Sequence, residues 1–180
     1  MSESSAWWRS VSGQDHAPTT NQRQADILND QDDYNYRRTL NRDVAIPRTA
    51  GTHVWRSEAI PDKVGRDRSA LLAHLAQSGV GQHWTASPDA VPVAPGQSPV
   101  GGGHSVVWHG IVEHPDEQTV PRDHPLFQGQ HAPMDWESEF RLLNHAQFRV
   151  LGAATGGGSY VPLDHMTSVV NRGDLPSIDK

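Results

Sequence analysis

Six short β-prone runs and one leucine-rich run constrain the fold of this chain more than any other sequence feature. The β-prone runs are separated by segments rich in glycine and proline, and they cover 52–56, 82–87, 104–113, 139–143, 147–152 and 159–163. The leucine-rich run, 67–78, has the residue spacing of a helix with one apolar face. One helix among several strands with long connections predicts an α+β fold, with antiparallel pairing towards the C-terminus.

The helix and the longest strand have well-defined patterns. Asp67 predicts an N-cap for the helix, and Gly79 predicts its C-terminal stop. The apolar face of the helix consists of three leucines, Leu71, Leu72 and Leu75. The strand predicted over 104–113 places four residues on one face, Val106, Trp108, Gly110 and Val112.

Two glycine triplets lie between the predicted strands. Gly101-Gly-Gly103 belongs to a stretch rich in proline and glycine, 88–104, which predicts a long loop. The second triplet, 156–158, predicts a turn before the last strand. Neither triplet carries a Lys-Ser/Thr pair or opens a helix, so neither is a phosphate-binding loop.

Residues 1–48 differ in composition from the rest of the chain, because they are rich in polar residues and poor in apolar ones. They predict a polar N-terminal extension that is flexible or is ordered by a partner. The alternative is a helix within 24–40, whose thin apolar stripe would need a partner surface. Trp7 and Trp8 are costly to leave in water, so we expect them to dock on a surface. Residues 173–180 form a C-terminal tail.

The composition excludes several classes of protein. The chain contains no cysteine, which rules out disulfides, a thiolate nucleophile and a cysteine-ligated metal. A formal net charge of −6 and an isoelectric point of about 5.9 give no global positive field that would favour nucleic acid. No window approaches the roughly 18 apolar residues of a membrane span, and the N-terminus lacks the pattern of a secretory signal. We therefore expect neither a membrane nor a nucleic acid as partner.

Eleven histidines raise the question of a metal site. His104, His109 and His114 recur every five residues, so alternate members fall on opposite faces of a strand. The chain has neither a His-Glu-x-x-His nor a His-x-His motif. The histidines therefore predict surface positions or positions that support a site, and no metal is expected.

Two glutamates stand where a loop enters a strand. Glu137 and Glu139 are two residues apart, so both carboxylates can face the same side. At this spacing each carboxylate raises the proton affinity of the other unless a cation or a polar ligand lies between them. The alternative is an edge strand with a solvated acidic face.

Guanidinium and hydroxyl groups occur on two earlier predicted strands. Arg56 follows Trp55 in a β-prone run and is either surface decoration or a clamp for a phosphate. Thr85 and Ser87 are two residues apart on one strand, so their hydroxyls share a face. Each feature alone is weakly informative. The order of the three features is a much more specific signal than any one of them: an arginine strand comes first, then a hydroxyl strand, then a Glu-x-Glu strand.

This ordered set resembles the mono-ADP-ribosyltransferase family with the Arg / Ser-Thr-Ser / Glu-x-Glu signature. The matching elements are Val54-Trp-Arg56, His83-Trp-Thr-Ala-Ser87 and Glu137-Ser-Glu139, and the resemblance covers about residues 50–170. The His-Trp-Thr sequence is most similar to phage-borne and actinobacterial members. The hydroxyl strand departs from Ser-Thr-Ser at two positions, because threonine replaces the first serine and the middle hydroxyl is lost.

The resemblance implies an ADP-ribosyltransferase-like domain over 49–172, a split β-sandwich of two small sheets with a few helices. NAD would lie in a cleft between the sheets as the substrate, without a metal. The implied reaction transfers ADP-ribose to a protein side chain and releases nicotinamide, and Glu137 favours an arginine acceptor. The partner would be an acceptor protein of a host cell, and a phage-borne chain would be virion-associated or act in the host cytoplasm.

The resemblance also implies a role for each matching residue. Glu139 would bond a hydroxyl of the nicotinamide ribose and stabilise the oxocarbenium-like cation. Glu137 would orient the acceptor guanidinium and help to deprotonate it. On the cofactor-binding side, Arg56 would hold a phosphate or ribose of NAD, Thr85 would position Glu139 and the ribose, and Ser87 would support the strand.

Alternatives remain open for one residue and for the whole chain. Trp136, directly before the glutamate pair, would guide the acceptor protein or fill a hydrophobic gap. The chain as a whole could be a structural or interaction protein of a virion or toxin, with weak or no activity and with residues 1–48 binding the partner. A third reading is a transferase that acts on a small molecule or a nucleic acid.

Overall fold

The computed structural model describes residues 47, 49–86, 88, 91, 93–120 and 139–172, with Glu139 described by its backbone alone. Six strands and two helices follow one another in the order β1 Thr52–Ile60, α1 Arg68–Ser78, β2 His83–Thr85, β3 His104–Val112, α2 Pro115–Gln118, β4 Glu139–Arg141, β5 Gln147–Gly156 and β6 Ser159–Ser168. This combination of a mainly antiparallel sheet with few helices is an α+β fold, as the sequence predicts.

The six strands form one sheet in the order β4-β2-β1-β3-β5-β6, and every neighbouring pair is antiparallel. The predicted antiparallel pairing towards the C-terminus is confirmed by β5 and β6. The expectation of two small sheets differs from the structure, in which the described strands belong to one sheet. The physical reason lies at the centre, where β1 and β3 pair over their full lengths from Thr52↔Val112 to Ile60↔His104. This ladder joins the β4-β2-β1 half of the sheet to the β3-β5-β6 half.

One face of the sheet, here called the helix-side face, packs against α1. Leu71 and Leu75 are fully buried there, and Leu72 is partly buried against the same cluster, as the leucine spacing predicts. The cluster also contains large side chains from the strands: Val54, Trp84, Trp108, Phe140 and Phe148. Full burial of one such side chain stabilises the folded state by about 1.5–3 kcal/mol relative to exposure. This face therefore holds the main core.

The opposite face, here called the loop-side face, carries a smaller apolar cluster. Trp55, Val107 and Ala154 pack there with Val91, and Tyr160 is partly buried against them. The loop that supplies Val91 is tied to β3, because Gly96 N donates to the Ser105 carbonyl at 2.7 Å and Ser105 N donates to the Gln97 carbonyl at 2.8 Å. The sheet is thus covered on both faces at its centre.

The ends of α1 confirm the predicted caps. The Asp67 carboxylate accepts a hydrogen bond from Ala70 N at 2.8 Å, which satisfies one free amide of the first turn. Gly79 has φ of 62° and donates its N–H to the Leu75 carbonyl at 2.8 Å. A Cβ at Gly79 would also approach the Ser168 carbonyl of β6 to 2.5 Å, so the helix end packs closely on the sheet edge.

Other sequence predictions differ from the structure in length or lie outside the described residues. β5 and β6 extend to Gly156 and Ser168 because they pair with each other beyond the predicted ends. The short helix α2 lies in the connection between the predicted strands 104–113 and 139–143, where the sequence pattern predicts no helix. The predicted extension 1–48, apart from Pro47, and the tail 173–180 lie outside the described residues. Within the part of the chain that the structure describes, no helix is long and apolar enough to cross a membrane.

Candidate functional site

A line of residues that oppose one another crosses the loop-side face from β4 to β5. Glu139 is in register with Thr85, Thr85 with Trp55, Trp55 with His109, and His109 with Gly152. We call these five residues the transverse row. Neighbouring strands lie about 4.8 Å apart, so the row spans about 19 Å.

The pairing of β2 with β4 brings together two parts of the predicted signature. Thr85, from the hydroxyl strand, stands directly opposite Glu139, from the Glu-x-Glu strand, although they are far apart in sequence. Thr85 is 7% exposed, so its hydroxyl is largely withdrawn from solvent. Residues opposite each other in an antiparallel pair are the closest cross-strand neighbours. The structure therefore makes Thr85 the cross-strand neighbour of Glu139.

The next member of the row, Trp55, is buried between β2 and β3. Its indole stacks on the His109 ring, with a centroid separation of 5.4 Å and an interplanar angle of 5°. The indole also belongs to the apolar cluster of the loop-side face. Trp55 is thus held by neighbours on the side away from Thr85.

His109 has a neighbour at each ring nitrogen. Its Nε2 lies 2.7 Å from Nδ1 of His53, and its Nδ1 lies 2.7 Å from the hydroxyl oxygen of Tyr160. Burial of the ring, helped by the nearby His53, lowers the pKa of His109 from 6.5 to about 4. Burial raises the pKa of Tyr160 from 10 to about 12. Both groups are therefore neutral across the physiological pH range.

Gly152 explains how Tyr160 reaches His109 across an intervening strand. Tyr160 belongs to β6 and His109 to β3, with β5 between them. The Tyr160 ring lies against Gly152, where a Cβ would collide with the tyrosine ring and hydroxyl. A residue without a side chain at this point of β5 allows the contact.

Arg56 lies on the other face of the sheet. It follows Trp55 on β1 and pairs with Trp108, so the alternation of a strand turns it to the helix-side face. Its Nη1 donates to the His83 carbonyl at 2.8 Å, and its guanidinium lies against Gly81. The structure thus brings Thr85 and Glu139 together but does not bring Arg56 to their face.

The surroundings of Arg56 contain a second polar network. The buried Glu58 carboxylate accepts a hydrogen bond from Trp108 Nε1 at 2.6 Å and another from Arg172. Arg172 also donates to the carbonyl oxygens of Ser78 and Gly79 at the end of α1. Burial, together with the positive charge of Arg56, lowers the pKa of Arg172. These bonds fasten the chain after β6 to β1 and to the helix.

The remaining predicted site residues, Ser87, Trp136 and Glu137, lie outside the described residues, so their roles stay predictions. Sequence reasoning did not identify His53, His109 and Tyr160 as a connected group. The alternation of β1 places His53 on the same face as Trp55, but the link to Tyr160 depends on strand pairing. Among the described residues, no group of three or more His, Asp or Glu side chains is arranged to hold a metal ion.

Comparisons of the chain with family models, with curated proteins and with solved structures find no match. The geometry of the described residues and the sequence pattern therefore carry the functional argument.

Proposed function

We propose that this protein transfers ADP-ribose from NAD to a protein side chain, most consistently arginine, and releases nicotinamide. The observation that carries the proposal is the register of Thr85 with Glu139. The hydroxyl strand lies between the arginine strand and the Glu-x-Glu strand, so the three strands that carry the sequence signature are neighbours in the sheet. An ADP-ribosyltransferase-like fold is part of the same proposal.

The chemistry follows from the residue types at this position. The bond between the ribose C1′ and the nicotinamide nitrogen breaks, and nicotinamide leaves with the bonding electrons. The ribose then carries positive charge, which the Glu139 carboxylate stabilises while Thr85 fixes its position. An acceptor guanidinium nitrogen forms the new bond to C1′ and loses a proton, with Glu137 as the group that receives it.

The role proposed for Arg56 differs from the one that the resemblance implies. Its predicted contact with a phosphate or ribose of NAD would require the cofactor to reach the helix-side face. Its hydrogen bond to the His83 carbonyl instead connects it directly to β2, two residues before Thr85. Arg56 thus supports the site through the hydroxyl strand, whether or not it also contacts NAD.

The experiment that tests the proposal measures nicotinamide release from NAD by the full-length chain and by Glu139→Gln. We expect the substitution to reduce turnover about 10²–10⁴-fold, the loss typical of an electrostatic stabiliser. Glu117→Gln is a matched control, because Glu117 is an exposed carboxylate of α2 far from this pairing in sequence. Near-normal turnover in folded Glu139→Gln would refute the role of Glu139.

The acceptor is tested separately, by intact-protein mass spectrometry of a host-cell lysate incubated with the protein and NAD. A mass increase of one ADP-ribose unit on a lysate protein, removed by Glu139→Gln, is the expected result. If wild-type protein releases no nicotinamide and modifies no protein, the structural or interaction role is the better account of the chain.

A further inference from the structure

His109 is held on three sides within the sheet. Its ring stacks on Trp55, one ring nitrogen lies 2.7 Å from His53, and the other lies 2.7 Å from the Tyr160 hydroxyl. The centroids of the hydrogen-bonded His53 and His109 rings are 4.9 Å apart, with an interplanar angle of 26°. Few rotations of the ring are compatible with all of these contacts.

The two hydrogen bonds restrict the orientation of the His109 ring. A neutral imidazole has one N–H and one lone pair, so His109 donates to one neighbour and accepts from the other. A 180° flip of the ring would put carbon atoms in the places of both nitrogens and break both bonds at once. Because the ring is 9% exposed, water cannot readily replace them. The orientation of the ring is therefore fixed by His53 and Tyr160 together.

The orientation of the His109 ring in turn fixes that of the Trp55 indole. The two rings are nearly parallel, with an interplanar angle of 5°. Trp55 is the residue of β1 in register with Thr85, and the structure gives no other pair in the β1–β2 register. Residues opposite each other on antiparallel strands are the closest cross-strand neighbours, so we expect a change in the indole position to act on Thr85, and through Thr85 on Glu139.

We propose that His109, locked by His53 and Tyr160, is a positioning residue that sets the Trp55 indole beside Thr85, which is in turn the cross-strand neighbour of Glu139. The proposal rests on the ADP-ribosyl transfer proposed above. His109 does not itself reach the reacting atoms, because it lies two strands, or about 10 Å, from β2. Its effect on turnover passes through Trp55.

The first test compares kcat and KM for NAD in four variants. His109→Gln removes the stack, and we expect kcat to fall about 10-fold, since small displacements of a positioned group cost one to two orders of magnitude. His109→Phe keeps a ring that can stack but loses both hydrogen bonds, so its kcat should lie between those of His109→Gln and wild type. Tyr160→Phe removes only the hydroxyl that orients His109, so we expect a smaller loss than in His109→Phe. The matched control is His165→Gln, a half-buried histidine of β6 outside the transverse row.

The second test does not depend on activity. Protein labelled with 5-fluorotryptophan gives one ¹⁹F signal for each of its six tryptophans, and Trp55→Phe identifies the Trp55 signal. We expect that signal to shift in His109→Gln and in Tyr160→Phe and to stay in place in His165→Gln. The proposal is overturned if the Trp55 signal is unchanged in both variants, or if it shifts while kcat stays at the wild-type value.

The two tests separate the possible failures. Absence of nicotinamide release from the wild-type protein refutes the proposed function, and with it the catalytic consequence of the lock. A shifted Trp55 signal in that case still shows that His109 orients the indole. If the wild-type protein turns over NAD, and His109→Gln and His109→Phe lower kcat equally, then the stacked ring does not position Trp55 and the proposal is refuted.

Discussion

The low pKa of His109 makes a quantitative prediction about stability. Burial holds the ring neutral in the folded protein down to about pH 4, whereas its ordinary pKa is 6.5. Above pH 6.5 the ring is neutral in both the folded and the unfolded chain, so it contributes no pH dependence there. As the pH falls from 6.5 towards 4, the unfolded chain binds a proton that the folded protein does not. The free energy of unfolding must therefore decrease on acidification.

The size of the decrease follows from the two pKa values. One pH unit of difference corresponds to about 1.4 kcal/mol, so a change from 6.5 to about 4 is worth about 3 kcal/mol in full. Integration of the two titrations gives a loss of about 2 kcal/mol between about pH 7.5 and about pH 5. A folded domain typically has a free energy of unfolding of about 5–15 kcal/mol, so a loss of about 2 kcal/mol is large enough to measure.

Urea unfolding at the two pH values, followed by tryptophan fluorescence, measures this loss. His74, whose pKa burial also lowers, contributes in the same direction. The relevant quantity is therefore the pH-dependent loss in wild type minus the loss in His109→Gln, which has no titratable group at this position. We expect the difference to be about 2 kcal/mol, with similar urea dependence in both proteins.

One variant serves as the control for this measurement, and two results would refute the reasoning. His165→Gln should retain the wild-type loss. Equal losses in wild type and His109→Gln would refute the reasoning. So would an NMR titration of wild type in which the His109 ring becomes protonated near pH 6.5, because the ring would then not be desolvated.

Four further predictions concern other parts of the chain. Glu137→Gln should suppress transfer to arginine more than hydrolysis of NAD, and equal losses in both assays would show that Glu137 acts on NAD or on structure. Glu58→Gln should lower the free energy of unfolding by about 1–3 kcal/mol, since it weakens buried bonds to Arg172 and Trp108. Glu113→Gln, in the more exposed pair with Arg149, should cost at most about 1 kcal/mol by the same urea measurement. Deletion of residues 1–48 should leave NAD hydrolysis largely intact and alter solubility or partner binding, and loss of NAD binding by a folded truncated chain would contradict the division between extension and domain.

Local features of this fold could be predicted from the sequence, whereas features that depend on pairing could not. The caps at Asp67 and Gly79 are set by hydrogen bonds within a few residues, so the residue types identify them. The ends of β5 and β6 depend on where the partner strand stops, and the sequence predicts both strands too short. The length of a strand therefore depends on its pairing partner as well as on its own sequence.

The candidate site shows the same division. The order of the hydroxyl strand and the Glu-x-Glu strand was visible in the sequence, but the pairing of Thr85 with Glu139 was not. The face of Arg56 depends on which residue of β1 is in register with Thr85, and a slip by one residue would reverse it. The contact of His109 with Tyr160 further requires an irregularity in β5 between Val150 and Gly152.

The shortness of β2 connects the two faces of the sheet. β2 has only three residues, and Trp55↔Thr85 is its register pair with β1. So few backbone contacts would leave the hydroxyl strand weakly held, and side chains from both faces add to them. On the helix-side face Arg56 donates to the His83 carbonyl, and on the loop-side face the Trp55 indole is locked by His109. In the proposed site, adjacent residues of β1 would hold β2 from opposite faces, so a guanidinium turned away from Glu139 would still support the strand that carries Thr85.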